Sequence, residues 1–336
     1  MSRSLFPPGR ALVAAAFGLA GCGLAQAQTN VTLYGIVSQD MVHATNTGKA
    51  RYKIEDGRLN ASRIGFHGNE DLGGGLSAIF DVESGISPDT GQANGGSNFW
   101  NRGSYVGFKG SFGSVTLGRQ WNVNDDLLGN FFIFGGYAVF SLGGFGDTSN
   151  LFNNSIKYVS SSYNGFTLEA LGALGEGGPR TKEIAGAYDG GPFKGVLTYH
   201  ETENKATGLK DKLTSLGASY GMGAWNLRFG YANANYALSG VGTPGFSKAA
   251  AYDLGADLTF GVAGLSVDYV NRDLKDSSAD SHFLRLLARY NFSKRTQVNA
   301  NVVVLKNKGS AVESFYGIDG PGKSQSVFTL GLSHVF

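Results

Sequence analysis

Apolar and polar residues alternate in short stretches along most of the chain. In the stretch 225–231, WNLRFGY, each apolar side chain is followed by a polar residue or a glycine. The same pattern occurs at 76–83, 252–260, 284–290 and 297–304. Side chains two residues apart on a strand point to the same face of the sheet. The alternation therefore predicts β-strands with one apolar face and one polar face.

The connections between these stretches are alternately short and long. Seven are short turns, with the sequences EDLGGG, GSFG, SSYNG, DGGP, GMGA, FGVAG and FSKR. Eight are long loops, near residues 45–57, 87–98, 122–154, 175–182, 204–211, 236–248, 274–280 and 307–323. Fifteen connections join sixteen antiparallel strands and place both termini on the short-turn side. Short turns at one rim and long loops at the other are typical of an outer-membrane β-barrel.

A soluble β-sandwich also alternates, but two further features favour a closed transmembrane barrel. Many apolar faces end in an aromatic residue, as expected of the girdles at the two lipid interfaces; examples are Phe166, Trp225, Tyr231, Tyr252, Phe260 and Tyr290. Charged residues lie mid-strand on the opposite face, which is compatible with the water-filled lumen of a sixteen-stranded barrel. The predicted lumen-facing charges are Asp81, Glu83, Lys157, Arg228, Arg285 and Arg289.

The first residues have the features of a secretory signal. Two arginines precede the apolar stretch 11–24, and A-Q-A at 25–27 matches a cleavage site. This pattern predicts a signal peptide over 1–27 and a single barrel domain over 28–336. After it, no apolar run is long enough for a membrane-spanning helix.

Cysteine and charge exclude several classes of function. The only cysteine is Cys22, which lies in the predicted signal; L-A-G-C at 19–22 also resembles a lipoprotein cleavage box, an alternative in which Cys22 carries a lipid. Removal of Arg3 and Arg10 from the 28 basic residues leaves 26, which balance the 26 acidic ones. A nucleic-acid-binding protein would show a basic excess. We expect no nucleic-acid partner, no metal site and no cofactor.

Several stretches resemble the trimeric general porins of Gram-negative outer membranes, and most of all the β-proteobacterial and neisserial group. They are VTLYG at 31–35, SRIGFHGNEDLGGGLSAIFDVESG at 62–85, NRGSYVGFKGSFGSVTLGRQ at 101–120, NNSIKY at 153–158 and the final LSHVF. The resemblance implies a homotrimer in outer-membrane lipid and lipopolysaccharide, and passive diffusion of ions and small hydrophilic solutes. It also implies that Phe336 is the signal to the barrel-assembly machinery, and that the third external loop folds inward as a constriction.

The resemblance also implies which residues line that constriction. In the family, arginines of the wall face acids of the third loop. Arg63 matches one arginine and Arg119 another, although alternation places Arg119 on the same side as Leu117, so a bulge is required. Arg102 is a further candidate. The acids of the early loop are Asp125 and Asp126.

The third loop departs from the family pattern at its tip. The acidic tip reads FIFGG here, with Ile133 in place of the carboxylate and Phe134 beside it. Fixed charge in a narrow pore selects ions by sign, so two retained arginines and a lost carboxylate predict a weak anion preference. The aromatic residues of this loop are open to two interpretations: they hold the loop to the wall, or some of them face the pore.

Two motifs typical of enzymes lack the context that catalysis needs. G-A-S-Y-G at 217–221 matches a nucleophile elbow, but no helix is predicted after it. G-V-G-T-P-G at 240–245 lies in a loop and not between a strand and a helix. The alternatives to a diffusion pore are an outer-membrane barrel enzyme that hydrolyses lipid, and a plugged structural or adhesive barrel.

Overall fold

The computed structural model describes residues 29–47, 51–128, 151–238 and 247–336. These residues form eighteen strands and one short helix, and in these ranges no helix is long and apolar enough to cross a membrane. The strands are β1 (Thr29–Ala44), β2 (Tyr52–Asp56), β3 (Arg63–Gly73), β4 (Leu76–Ser87), β5 (Gln92–Ala93), β6 (Gly103–Gly110), β7 (Gly113–Trp121), β8 (Leu151–Ser160), β9 (Phe166–Ala173), β10 (Arg180–Gly190), β11 (Phe193–Glu203), β12 (Lys210–Met222), β13 (Trp225–Tyr236), β14 (Lys248–Phe260), β15 (Ala263–Leu274), β16 (Ser281–Asn291), β17 (Thr296–Asn307) and β18 (Gln325–Val335). The helix is α1 (Val123–Leu128).

The sheet closes into a barrel with sixteen strands in its wall, which confirms the predicted fold class. Every wall strand pairs antiparallel with its sequence neighbours, and β1 also pairs with β18. The first half of β1, residues 29–36, pairs with β3, and its second half, residues 39–43, pairs with β2. The strands β2 and β3 together therefore make one wall strand. The two-residue β5 pairs only with the end of β4 and lies above the wall.

The two faces of the wall differ as the alternation predicts. On β13, Trp225, Leu227 and Phe229 are exposed on the outside, whereas Arg228 and Ala232 are buried on the inside. In a closed membrane barrel the outer face contacts hydrocarbon, so exposed apolar side chains outside are the stable arrangement. The inner face carries the groups that a solute would meet.

The last residue completes the hydrogen bonding where β18 meets β1. The backbone N–H of Phe336 donates to the Gly35 carbonyl over 3.0 Å, and the Gly35 N–H donates to the Phe336 carbonyl over 3.2 Å. A Cβ at Gly35 would overlap the Phe336 ring and lie 2.6 Å from the Arg63 carbonyl oxygen. Glycine at position 35 therefore lets the terminal ring lie flat against β1.

We expect Gly35→Ala to weaken the closed barrel by about 1–3 kcal/mol, the usual cost of overpacking. The measurement heats samples of the protein to increasing temperatures and separates them by gel electrophoresis without boiling. The value compared is the temperature at which the folded band converts to the unfolded band. Gly172→Ala, in β9, is the matched control because a Cβ there meets nothing within 4 Å. Equal melting of the two variants would contradict the role assigned to Gly35.

Candidate functional site: the pore constriction

Two arginines meet around one carboxylate on the inner face of β3, β4 and β6. Arg63 begins β3, Glu83 lies on β4, and Arg102 directly precedes β6. In the register of the wall, Arg63 is opposite Gly85 and Glu83 is opposite Gly103. These pairings bring the three side chains to one level of the lumen, and the bare Gly103 leaves room between them.

Hydrogen bonds and one longer ion-pair contact, that of Arg63, hold this group, which we call the arginine cluster (Arg63, Arg102, Glu83, Asp81 and Tyr34). The Arg102 Nε donates to Glu83 Oε1 over 2.6 Å, and the Arg63 Nε lies 4.0 Å from Glu83 Oε2. The Tyr34 hydroxyl lies 3.0 Å from Asp81 Oδ2 and 3.1 Å from Glu83 Oε2. Because charge-assisted bonds are the stronger ones, the cluster holds two positive and two negative groups at defined positions.

Arg102 also links the cluster to the start of the third loop. Its guanidinium lies 5.0 Å from the ring centroid of Trp121, the last residue of β7. Its backbone N–H donates to the Glu83 carbonyl over 3.0 Å. A cation over an indole face is a favourable contact, so Arg102 is held from both sides.

Arg119 lies outside the arginine cluster. A bulge between Gly118 and Gln120 interrupts the pairing of β7 with β8. The Arg119 Nε donates to the Asn101 carbonyl over 2.8 Å, and Nη1 donates to Asn153 Oδ1 over 2.6 Å. The bulge that the alternation requires is therefore present, and it directs Arg119 to neutral oxygens beside the entry of the third loop.

The helix α1 begins the third loop and packs on the inner wall. The Asn122 side chain caps it by accepting the Asp125 N–H over 2.6 Å. Val123 and Leu128 are fully buried in an apolar cluster of the inner face, and the helix contacts β9 to β12. On these strands the small cluster members Ala173 of β9 and Ala185 of β10 leave room for the helix.

Two sets of polar contacts with the wall hold α1 in place. Asp126 forms an ion pair with Lys157 on β8, and the Lys157 Nζ also lies 3.1 Å from Glu169 Oε1 on β9. Glu183 on β10 accepts the Val123 N–H over 2.7 Å and contacts His200 Nδ1 at 2.8 Å. Asp126 and Lys157 thus anchor the loop to the wall.

The remaining predicted lumen charges form a network on the inner face of β13 to β16. Arg228 contacts Asp257, with Nε 2.8 Å from Oδ2, and also pairs with the fully buried Asp268. The Arg285 Nη2 lies 2.8 Å from Asp268 Oδ2. The Arg289 Nη2 donates to the Ser266 hydroxyl over 3.3 Å. The carboxylates largely compensate Arg228 and Arg285, whereas the Ser266 hydroxyl that accepts from Arg289 is neutral.

The loop 307–323, which we call the outer strap, folds down against the inner wall at the external mouth. Glu313 forms an ion pair with the buried Arg272 of β15. The Phe315 ring packs edge-on against Phe283, with centroids 5.9 Å apart, within an apolar cluster of β1 and β15 to β18. These contacts place the strap inside the mouth rather than above it.

A second set of contacts ties the strap to β2. The Tyr316 hydroxyl donates to Glu55 Oε1, and Lys53 and Arg58 lie over its ring at 4.5 and 4.7 Å. The Phe315 N–H donates to Gln325 Oε1 over 2.9 Å. The strap is therefore fixed on both sides of the junction between β18 and β1, and it narrows the external entrance.

No pattern in the sequence indicates the inward fold of the strap, the contact of Trp121 with Arg102, or the anchors Glu169 and Glu183. The inward direction of Tyr34 is predictable from alternation, because Val31 and Leu33 face outward on the same strand. Ile133 and Phe134 lie outside the described residues. G-A-S-Y-G at 217–221 lies within β12, so it is not an elbow, and the described residues hold no group of three metal-ligating side chains.

Comparison with known proteins identifies the family. A family model described as Gram-negative porin matches residues 11–310. The chain belongs to this family. The porin is 32% identical over 348 aligned positions to outer membrane porin protein 32 of Delftia acidovorans, covering 95% of this chain and 97% of that protein. It therefore resides in the outer membrane of a Gram-negative bacterium.

Further relatives agree in sequence and in fold. Major outer membrane protein P.IA of Neisseria meningitidis serogroup C is 43% identical over 91 residues, 26% of the porin and 22% of that protein. The anion-selective porin from Comamonas acidovorans superposes with a TM-score of 0.80 at 28% identity, over 92% of the porin and all of that chain. OmpT of Vibrio cholerae, described in its trimer form, has a TM-score of 0.69 at 17% identity, over 92% of the porin and 99% of that chain, which shows the fold alone.

Proposed function

We propose that the porin passes ions and small hydrophilic solutes by passive diffusion, with a weak preference for anions. The observation that carries the selectivity is the near balance of the arginine cluster, in which Arg63 and Arg102 lie beside Glu83, and Tyr34 links Glu83 to Asp81. Arg119 and Arg289 donate to neutral oxygens and add positive charge to the wall. The solved relative described as anion-selective supports the same sign.

In a water-filled pore, ions and solutes can pass by diffusion and do not need to bind to the wall and be released from it. A ring of fixed charge in a wet pore sets ion preference, and the width of the pore sets the size limit. We assign no catalytic residue and no cofactor to the chain.

Liposome swelling tests the diffusion part of the proposal. Vesicles that contain the purified porin should swell in isotonic sugar, faster with a monosaccharide than with a trisaccharide. Vesicles without protein provide the baseline. No swelling with any sugar would favour a plugged structural or adhesive barrel, and release of fatty acid from the vesicle lipid would favour a lipid hydrolase.

The tip of the third loop supplies a separate prediction. We propose that the loop continues inward from α1 and lines the constriction, with Ile133 where relatives place an acid. If position 133 faces the pore, Ile133→Glu adds one negative charge and should move the reversal potential in a salt gradient towards cation preference. Ile133→Gln is the control for side-chain size. No change in conductance or selectivity would mean that position 133 does not face the pore.

We further propose that the porin works as a homotrimer that is cleaved after residue 27, embedded among lipopolysaccharide and inserted by the barrel-assembly machinery through Phe336. The trimeric relative supports the oligomeric state, and the packing of Phe336 on Gly35 supports a role for the terminal strand. Size-exclusion chromatography with light scattering should give three times the protomer mass. Mass spectrometry of the porin from outer membranes should give an N-terminus at Gln28.

A further inference from the structure

The outer wall carries an apolar notch where β15, β16 and β17 run side by side. Ala288 and Ala300 are direct cross-strand neighbours, flanked by Leu265 on one side and Leu330 on the other. Towards the external rim, Leu286 and Val302 form the next row, so a Leu-Ala-Ala-Leu row lies below larger side chains. The resulting groove has a volume of about 480 Å³ and extends to Trp225.

The lining of this groove is suited to a flexible hydrocarbon chain. Its outward side chains, including Ala256, Leu258 and Val267, are apolar. The Ser266 hydroxyl, the one polar side chain at its edge, already donates to Asp257 Oδ1 over 2.7 Å. Because wall and lipid are both apolar, the hydrophobic effect does not favour one contact over another. The lipid chain binds best where its shape fits the wall, since close packing increases the dispersion attraction. An alkyl chain therefore makes more contacts in a depression two alanines wide than it makes on a flat wall.

Below the notch, a basic turn marks where a headgroup would lie. The turn FSKR joins β16 to β17 and contains Lys294 and Arg295, both exposed. The neighbouring turns of this wall, FGVAG and GMGA, contain no acid. Ala288 and Phe292 are four residues apart, or ~13 Å along a strand. Because barrel strands are tilted by about 40°, this length corresponds to ~10 Å along the membrane normal, which lies within one leaflet of a hydrocarbon core ~30 Å thick.

Aromatic rings mark the lipid interface between the notch and the turn. Tyr290 and Phe292 are exposed on the outer face, and their ring centroids are 5.1 Å apart. Aromatic girdles lie at headgroup level. An acyl chain in the notch thus passes this pair and brings its phosphate to Lys294 and Arg295.

We propose that the outer wall of β15 to β17 binds one phospholipid of the inner leaflet, with its acyl chain in the Ala288–Ala300 notch and its anionic headgroup at Lys294 and Arg295. The inference rests on the placement of the barrel in the outer membrane and not on conduction. A failed lipid experiment therefore leaves the proposed diffusion function untouched.

Tryptophan quenching tests the site on the full porin. The chain has three tryptophans, so Trp100→Phe with Trp121→Phe leaves Trp225 in the groove as the reporter. The porin is reconstituted in phosphatidylcholine vesicles that contain a minor fraction of brominated phosphatidylglycerol or, for comparison, brominated phosphatidylcholine. The phosphatidylglycerol should quench Trp225 with a relative association constant roughly tenfold higher, since each basic residue attracts an anionic surface.

Two variants separate the parts of the site. Lys294→Gln with Arg295→Gln should bring the two lipids to equal quenching, whereas Lys205→Gln with Lys323→Gln, in external loops, should change nothing. Ala288→Leu with Ala300→Leu fills the notch and should remove the preference while the barrel still folds, as checked by its gel mobility. Equal quenching by both lipids in the parent, or a preference that survives either site variant, would overturn the proposal.

Discussion

Replacing Glu83 with glutamine should make the pore more anion-selective, and replacing Arg63 and Arg102 together with glutamine should make it cation-selective. Glu83 is the carboxylate that both guanidinium groups share. Without it, two positive charges at one level face Asp81 alone. Without the arginines, Glu83 and Asp81 remain as the fixed charge of this wall. Glutamine keeps a hydrogen-bonding group at each position, so the wall should retain its shape.

The expected size of these effects follows from Coulomb's law. A unit charge ~4 Å from a passing ion contributes about 1 kcal/mol in water, which corresponds to roughly a fivefold change in permeability for an anion and an opposite change of about the same size for a cation. The measurement is the reversal potential across a planar bilayer in a potassium chloride gradient. Lys205→Gln removes a positive charge from an exposed position in the loop between β11 and β12, outside the strap and the arginine cluster, and should leave the potential unchanged. Shifts of the same sign in both site variants would contradict the account.

Replacing Glu313 with alanine should release the outer strap and enlarge the external entrance. The substitution removes the carboxylate that forms an ion pair with the Arg272 guanidinium, which is 2% exposed. Breaking a buried ion pair costs about 3–5 kcal/mol, which is comparable to the stabilisation expected from burying Phe315 and Tyr316. We therefore expect the strap to leave the wall, a higher single-channel conductance and faster swelling of vesicles in a trisaccharide.

The control for this variant lies in the same loop. Asp319 is exposed on the strap, and Asp319→Asn removes the same charge without touching Arg272. Phe315→Ala should reproduce the effect of Glu313→Ala through lost packing of about 3–5 kcal/mol. If conductance and sugar permeability match the parent in both Glu313→Ala and Phe315→Ala, the strap does not restrict entry.

The wall was predictable because its signal is local. Alternation at period two on β13 fixes which side chains face lipid, and the alternation of short and long connections fixes the number of strands. The inward direction of Arg63 and Glu83 follows from the same rule. The ion pair between these two residues does not follow from alternation, because it depends on the register of β3 with β4.

The interior contacts were less predictable because they join segments far apart in sequence. Tyr316 contacts Glu55, 261 residues away, and no pattern in the loop 307–323 indicates an inward fold. Asp126 was predicted as an acid of the constriction, and the structure pairs it with Lys157 as an anchor of α1. Alternation assigns a direction to side chains on strands, but the direction of a charged side chain on a loop depends on tertiary contacts.

Single-channel recording of the wild-type porin in a planar bilayer shows whether the barrel is an open pore and which ion it prefers. We expect stepwise, ohmic conductance increments and, in a potassium chloride gradient, a small reversal potential of the sign for chloride preference. The absence of steps would contradict an open water-filled pore, and a large reversal potential of the sign for potassium would contradict the charge arrangement at Arg63, Glu83 and Arg102.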